Sequence, residues 1–172
     1  MAKHAVVRTD KMMGTDVRSY VASVKYMGTG NTATAIDNGC IVKVNGLLET
    51  GVTGVLEREI YKAVTPAAND TIETLGLVCS PEVMYDVTKR DLADFYNEAG
   101  DIARIYFLHT GDIFSVTAEA LDGTATVGKI VEVQAGTKMK VVTTATSGST
   151  TIGKIIEVAP AGKYTFYAIQ VA

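Results

Sequence analysis

The short run His109-Thr110-Gly111-Asp112 places an imidazole three residues from a carboxylate, with Ser115 just beyond it and Ser80 elsewhere in the chain. Serine, histidine and aspartate in reach of one another would make an activated nucleophile, with Asp112 orienting the ring. No Gly-x-Ser-x-Gly elbow presents either serine, so the plainer expectation is a histidine at a strand end bonded to a turn. The carboxylate pairs Glu57 with Glu59 and Asp91 with Asp94 suit acid and base work only where a pocket separates their pKa values. The Gly/Thr-rich "MGTGNTATA" from Met27 to Ala35 lacks the lysine that a phosphate loop needs and reads as a plain loop. Asp37-Asn38-Gly39 and Asp122-Gly123 are turn signals without an oxygen-rich calcium loop around them. Asn69-Asp70-Thr71 fits the glycosylation sequon by letter only.

Cys40 and Cys79 are the only cysteines, and each sits in an apolar run, "GCIVKV" and "LGLVCS". Such runs predict buried free thiols, with a disulfide left open; without a Cys-x-x-Cys or a Cys/His group a structural zinc is not expected. The inventory therefore predicts a chain without metal or cofactor that is not an enzyme. Its function is expected to lie in surfaces.

The elements that must position those surfaces are mostly strands. A chain of 172 residues with 47% hydrophobic and 20% charged residues fits one domain with a real core. The formal charge of -3, with a pI near 5.4, argues against a nucleic-acid backbone as partner. No apolar run approaches the roughly 20 residues of a membrane helix. Met1-Ala2-Lys3-His4 opens no signal-peptide core, so synthesis and retention in the cytosol are expected.

Residues 1–18 lack either hydrophobic period and predict an extended arm that lies on its own domain or on a neighbour. Residues 19–172 then form a single β-rich domain. Strands are expected at Ser19 to Met27 and Cys40 to Val44, paired as a hairpin, then at "EREIYKAV", Thr71 to Cys79, Ala103 to Thr110 and Ile113 to Ala120. An insert at about 81–100 carries the one helical signal. Thr88 and Asp91 resemble a capping box, Leu92, Phe95 and Tyr96 share a face, and Gly100 stands at the end, predicting a short helix over about 88–99.

Near the end the chain writes one phrase twice: "VGKIVEV" from Val127 and "IGKIIEV" from Ile152. A glycine opening a β-branched run is a turn followed by a strand, and Thr137 to Val142 and Tyr164 to Val171 supply partner strands. The repeat at 126–171 thus predicts two hairpins, with Lys129, Glu132, Lys154 and Glu157 on the solvent side. The expected fold is mainly β: a small barrel or sandwich built from hairpins, one short helix and an extended N-terminal arm.

Three segments, "VVRTDKMMGTDVRSYVASVKY", "SPEVMYDVTKRDLADFYNEAGDIARIYFLHTGDIFSVTAEAL" and the closing pair "VGKIVEVQAGTKMKVV" and "IGKIIEVAPAGKYTFYAIQV", resemble the head decoration (auxiliary capsid) proteins of tailed bacteriophages. The likeness covers most of the chain as a general texture. It implies a structural virion protein, made in the host cytoplasm, that binds the outer capsid surface and stabilises contacts between major capsid subunits. Its implied partners are the major capsid protein and neighbouring copies of itself, commonly as trimers. The implied grip is the arm, with Val6, Val7, Arg8, Asp10, Met12, Met13, Asp16 and Arg18 as candidate contacts. Tail-tube, head-completion and host-surface adhesin proteins reuse small β-barrels with arms and form the alternative reading.

Overall fold

Runs rich in Val, Ile, Tyr and Phe form strands through most of the chain, as their preference for a pleated, half-buried surface dictates. The computed structural model describes residues 3–49, 56–86 and 88–172. In chain order the elements are β1 (Val7–Lys11), a single helical turn α1 (Met13–Asp16), β2 (Val21–Tyr26), β3 (Ile41–Glu49), β4 (Leu56–Val64), β5 (Leu75–Val78), β6 (Ala103–Phe107), β7 (Ile113–Val116), β8 (Leu121–Asp122), β9 (Ile130–Glu132), β10 (Met139–Val142), β11 (Thr151–Ala161) and β12 (Tyr164–Val171). The fold is mainly β, as the sequence predicts. Five strands close a barrel in the order β2-β4-β3-β5-β6, and the other seven form a sheet in the order β1-β7-β12-β11-β9-β10-β8.

The barrel and the sheet share a wall. In β3 and β5, alternate side chains point to opposite faces. Val42 and Val78 enter the barrel with Val24, Ala63 and Ile105, while Ile41, Leu75 and Leu77 face the sheet and pack with Phe114, Val131, Ile155 and Ile169. All four residues of β5 are buried. Gly76 fits closely there: a Cβ would stand 2.5 Å from Ile105 Cδ1 and 3.1 Å from Ile105 Cβ, so the buried Ile105 side chain would have to shift.

The two copies of the repeated phrase form the expected hairpins, β9 with β10 and β11 with β12. They join side by side within the open sheet, where β9 pairs antiparallel with β11; the barrel is built by the upstream strands. The register sets Ile130 opposite Lys154, and the Ile155 N–H donates to the Lys129 carbonyl at 2.9 Å. Residues directly opposite share a face. The isoleucine of each copy therefore lies beside the lysine of the other, and equivalent letters face opposite ways. Val131 is fully buried while its counterpart Ile156 is 40% exposed. Register shifts between Thr151 and Gly153 and between Ile155 and Glu157 complete the change of phase.

Three expectations are corrected. The Ser19–Met27 and Cys40–Val44 strands do not pair as a hairpin: β2 lies between β4 and β6, running parallel to β4. The helix expected over about 88–99 is a single 3-10 turn, Leu92–Asp94. Its capping box runs from Asp91 to Asp94, and Asn97 is already drawn into an extended bridge with Ile36, which leaves too few residues for a helix to propagate. Glu132 is not on the solvent side. It does point away from Val131 and Val133, but the loop after β10 closes over it: Oε1 accepts the Thr146 N–H at 2.5 Å and Oε2 has no partner. Lys154 and Glu157 are exposed as expected, and half-buried Lys129 donates to the Thr143 hydroxyl.

The two repeat glycines are needed for different reasons. A Cβ at Gly153 would meet the Gln170 carbonyl oxygen at 2.0 Å, so Gly153→Ala should cost on the order of 3 kcal/mol or more by urea unfolding. Gly128 has open space but φ of +89, so Gly128→Ala should cost only about 1–2 kcal/mol.

Candidate partner-binding surface

The residues that suggested chemistry have partners in the fold, and of them His109 and Asp112 come together, with His109 Nδ1 3.7 Å from Asp112 Oδ2. Asp112 is 2% exposed, its Oδ1 accepting the Met13 N–H at 2.7 Å and its Oδ2 the His109 N–H at 3.0 Å. The His109 ring lies against Tyr20, centroids 3.9 Å apart, with Nδ1 at 3.1 Å from the Phe107 carbonyl. Neither Ser80 nor Ser115 is a hydrogen-bond partner of that ring: Ser80 bonds Asn38 and Arg104, and Ser115 lies between Arg8 and Ala168 on the sheet. Asp91 and Asp94 cap their 3-10 turn, while Glu59 is exposed and the Glu57 side chain lies outside the described residues. The Lys163 ammonium at 2.5 Å, helped by the Ala93 N–H, holds the Asp91 carboxyl below its ordinary pKa, and the Tyr164 hydroxyl donates to the same carboxylate.

Both cysteines are free. Burial pushes the Cys79 thiol up to about 11 and raises Cys40 as well, which suppresses the reactive thiolate. Asp37 pairs with His4 at 2.7 Å and Asp70 with Lys43 at 2.5 Å. Among the described residues no group of three His, Cys, Asp or Glu could hold a metal ion.

The N-terminal arm lies on its own domain. Residues 7–11 are the edge strand β1, paired with β7, and the arm buries Val6, Val7 and Met12 to 5% exposure or less. Gly14 passes so close to the barrel that a Cβ would stand 2.7 Å from the Tyr106 ring. Arg8 covers the Phe166 ring at 4.3 Å. Of the candidate contacts, Val6, Val7 and Met12 are therefore buried inside this chain, and Arg8, Asp10, Met13, Asp16 and Arg18 remain exposed. The arm is held at its start as well: the His4 N–H donates to Ala93, and its ring stacks on Tyr96 at 4.6 Å.

The insert, by contrast, offers a surface. Its two ends are clamped by the buried Asn38 of the Asp37-Asn38-Gly39 turn, which exchanges two 2.9 Å hydrogen bonds with the Ser80 backbone and accepts from Asn97 Nδ2 at 3.3 Å. Between these anchors the chain carries Tyr85 at 94% exposure and Val83 at 59%, and Ile102, just past the second anchor, is 54% exposed. Two adjoining hollows of about 340 and 460 Å³ share Val83, Phe95 and Asp101 as common lining, joining these side chains into one face. A clustered aromatic and aliphatic exposure of this kind marks an interaction site more often than scattered apolar residues do. Sequence reasoning named the insert but not Tyr85, because nothing in "SPEVMYDV" has a period that tells a covered aromatic from an open one. No family model matches the chain, and no curated protein or solved structure matches it either.

Two measurements check these assignments. Asp112→Ala should lower stability by about 3 kcal/mol through the two backbone donors it abandons, whereas His109→Ala should cost about 1 kcal/mol. Deleting residues 1–18 removes Val6, Val7 and Met12 from the core, a loss on the order of 5 kcal/mol against a total of about 5–15 for a domain. The truncated chain should unfold at a markedly lower urea midpoint, and a fully stable truncation would contradict the packing described.

Proposed function

We propose that this chain is a non-catalytic structural protein of a bacteriophage virion that binds the outer surface of the capsid and stabilises contacts between major capsid subunits. The resemblance of its segments to head decoration proteins supplies the place of action. The observation that carries the grip is the exposed face of Val83, Tyr85 and Ile102, held at both ends by Asn38 on a closed β scaffold. A large, rigid aromatic side chain beside aliphatic ones is the composition of an interface hot spot. The scaffold fixes the anchors of that face in advance, so less ordering entropy opposes binding.

The arm takes a different role from the one its position suggests. With Val6, Val7 and Met12 committed to the core, it serves as a structural edge strand, and the exposed Met13 flanks it. Clamping a lattice needs no chemistry. Many modest contacts repeated over a shell reinforce one another, because each bound copy sits where its neighbours' sites are already ordered.

The test is co-sedimentation of purified protein with expanded phage capsids. Wild type should pellet saturably with the shells, and Tyr85→Ala should weaken binding by roughly thirtyfold, the effect of a hot-spot truncation, with an unchanged unfolding midpoint. Met13→Ala should leave binding within about threefold. If wild type fails to pellet at any concentration, the capsid reading is wrong.

A further inference from the structure

We infer that the insert face is built to receive arginine side chains from its partner, so that the contacted surface of the partner is basic. This rests on the reading above for its location on a shell, but its chemistry comes from the face itself. Residues 81–104 contain six acidic and three basic residues, a balance of -3 that equals the formal charge of the whole chain. The rest of the protein is formally neutral. Of these acids, Asp86, Glu98 and Asp101 stand with the single base Lys89 around the hollow beside Tyr85, while Asp91 is paired with Lys163 from outside the segment.

The acids stand where they can meet a partner. Asp86, Glu98 and Asp101 are exposed and line the same hollow as Tyr85, Phe95 and Tyr96. Asp86 is kept ionised by the N–H and hydroxyl of Thr88, at 2.8 and 2.7 Å, and Asp101 is oriented by the Glu98 N–H at 3.0 Å. Each carboxylate is therefore fixed by a turn while retaining lone pairs toward solvent. Aromatic faces interleaved with fixed carboxylates are the complement of a guanidinium, which stacks flat on a ring and gives paired N–H donors to a carboxylate.

The face already shows this arrangement once within the chain. Lys89 places its ammonium 4.9 Å from the Tyr96 centroid and 3.7 Å from Glu98 Oε1. Tyr85 with Asp86 and Asp101 brings the same pair of chemistries to the lining of the hollow. A purely apolar partner would leave these carboxylates desolvated beside it, which disfavours such an occupant.

The experiment uses the full-length protein with two probes, a fluorescein-labelled hexa-arginine peptide and its hexa-lysine counterpart, alongside expanded capsids. Hexa-arginine should bind more tightly than hexa-lysine. The triple variant D86N/E98Q/D101N, which keeps the turn hydrogen bonds, should lose at least tenfold in peptide affinity and in capsid binding with its unfolding midpoint unchanged. Raising NaCl from 50 to 300 mM should weaken both interactions of the wild type. Equal binding of the two peptides, or binding indifferent to the triple variant, would overturn the inference. So would capsid binding that needs Tyr85 but ignores both salt and the triple variant, although that result would leave the capsid reading standing. Selective capture of hexa-arginine without any capsid binding would do the reverse, keeping the inference and removing the capsid.

Discussion

The burial of β5 on both of its faces is the constraint from which the rest of the structure follows. A four-residue strand whose Leu75 and Leu77 serve the sheet, and whose Val78 serves the barrel, couples two cores that would each be small alone. The backbone has to be satisfied entirely by neighbouring strands, and it is, through β3 on one side and β6 on the other. Gly76 lets β5 lie close against Ile105 of β6.

Because β3 runs antiparallel to β5, the start of one lies beside the end of the other, with Ile41 opposite Leu77. The Gly39 N–H extends that ladder to the Val78 carbonyl at 2.7 Å. Asn38 and Ser80 are thereby brought together at the same end of the shared wall, and the clamp between them is a direct continuation of the core. The exposed face of the insert inherits its fixed anchors from the burial of β5. An exposed face placed in this way combines a loop sequence, free of packing demands, with anchors held by the most buried part of the molecule.

The management of edges belongs to the same economy. The barrel has no edge, β8 is only two residues long, and the edge of β1 is engaged where the Thr9 carbonyl accepts the Met12 N–H and the Thr15 hydroxyl. With its edges blunted, the described molecule offers few sites for strand addition. The buried Glu132 fits a related role. Its carboxylate pins the hydroxyl-rich loop after β10 to the sheet through Thr146, an arrangement that costs desolvation and gives the loop a defined path.

The sequence by itself determined the class of the fold, because β-branched alternation and glycine-led turns are local signals that survive without context; the strands at 57–64, 103–107 and 164–171 could be read from their letters. It also determined the two C-terminal hairpins, while the disulfide it left open between Cys40 and Cys79 was decided by the folded structure, in which both thiols are free. It could not decide which way equivalent letters face: the odd register that sets Lys129 beside Ile155 arises from pairing between distant strands, and a shift of one residue inverts a face. Nor could it decide the helix at 88–99, where a valid capping box and apolar stripe lost to the long-range bridge between Ile36 and Asn97. The exposed face of the insert was half legible, since the charge of the segment is written in the chain, while the exposure of Tyr85 depends on what the folded molecule leaves uncovered. The arm shows the same division: its irregular letters gave no period, and only the tertiary structure placed Val6, Val7 and Met12 in the core, because the groups that cover them come from distant parts of the chain, Val6 packing with Ala93 and Phe166 and Val7 lying opposite Val116.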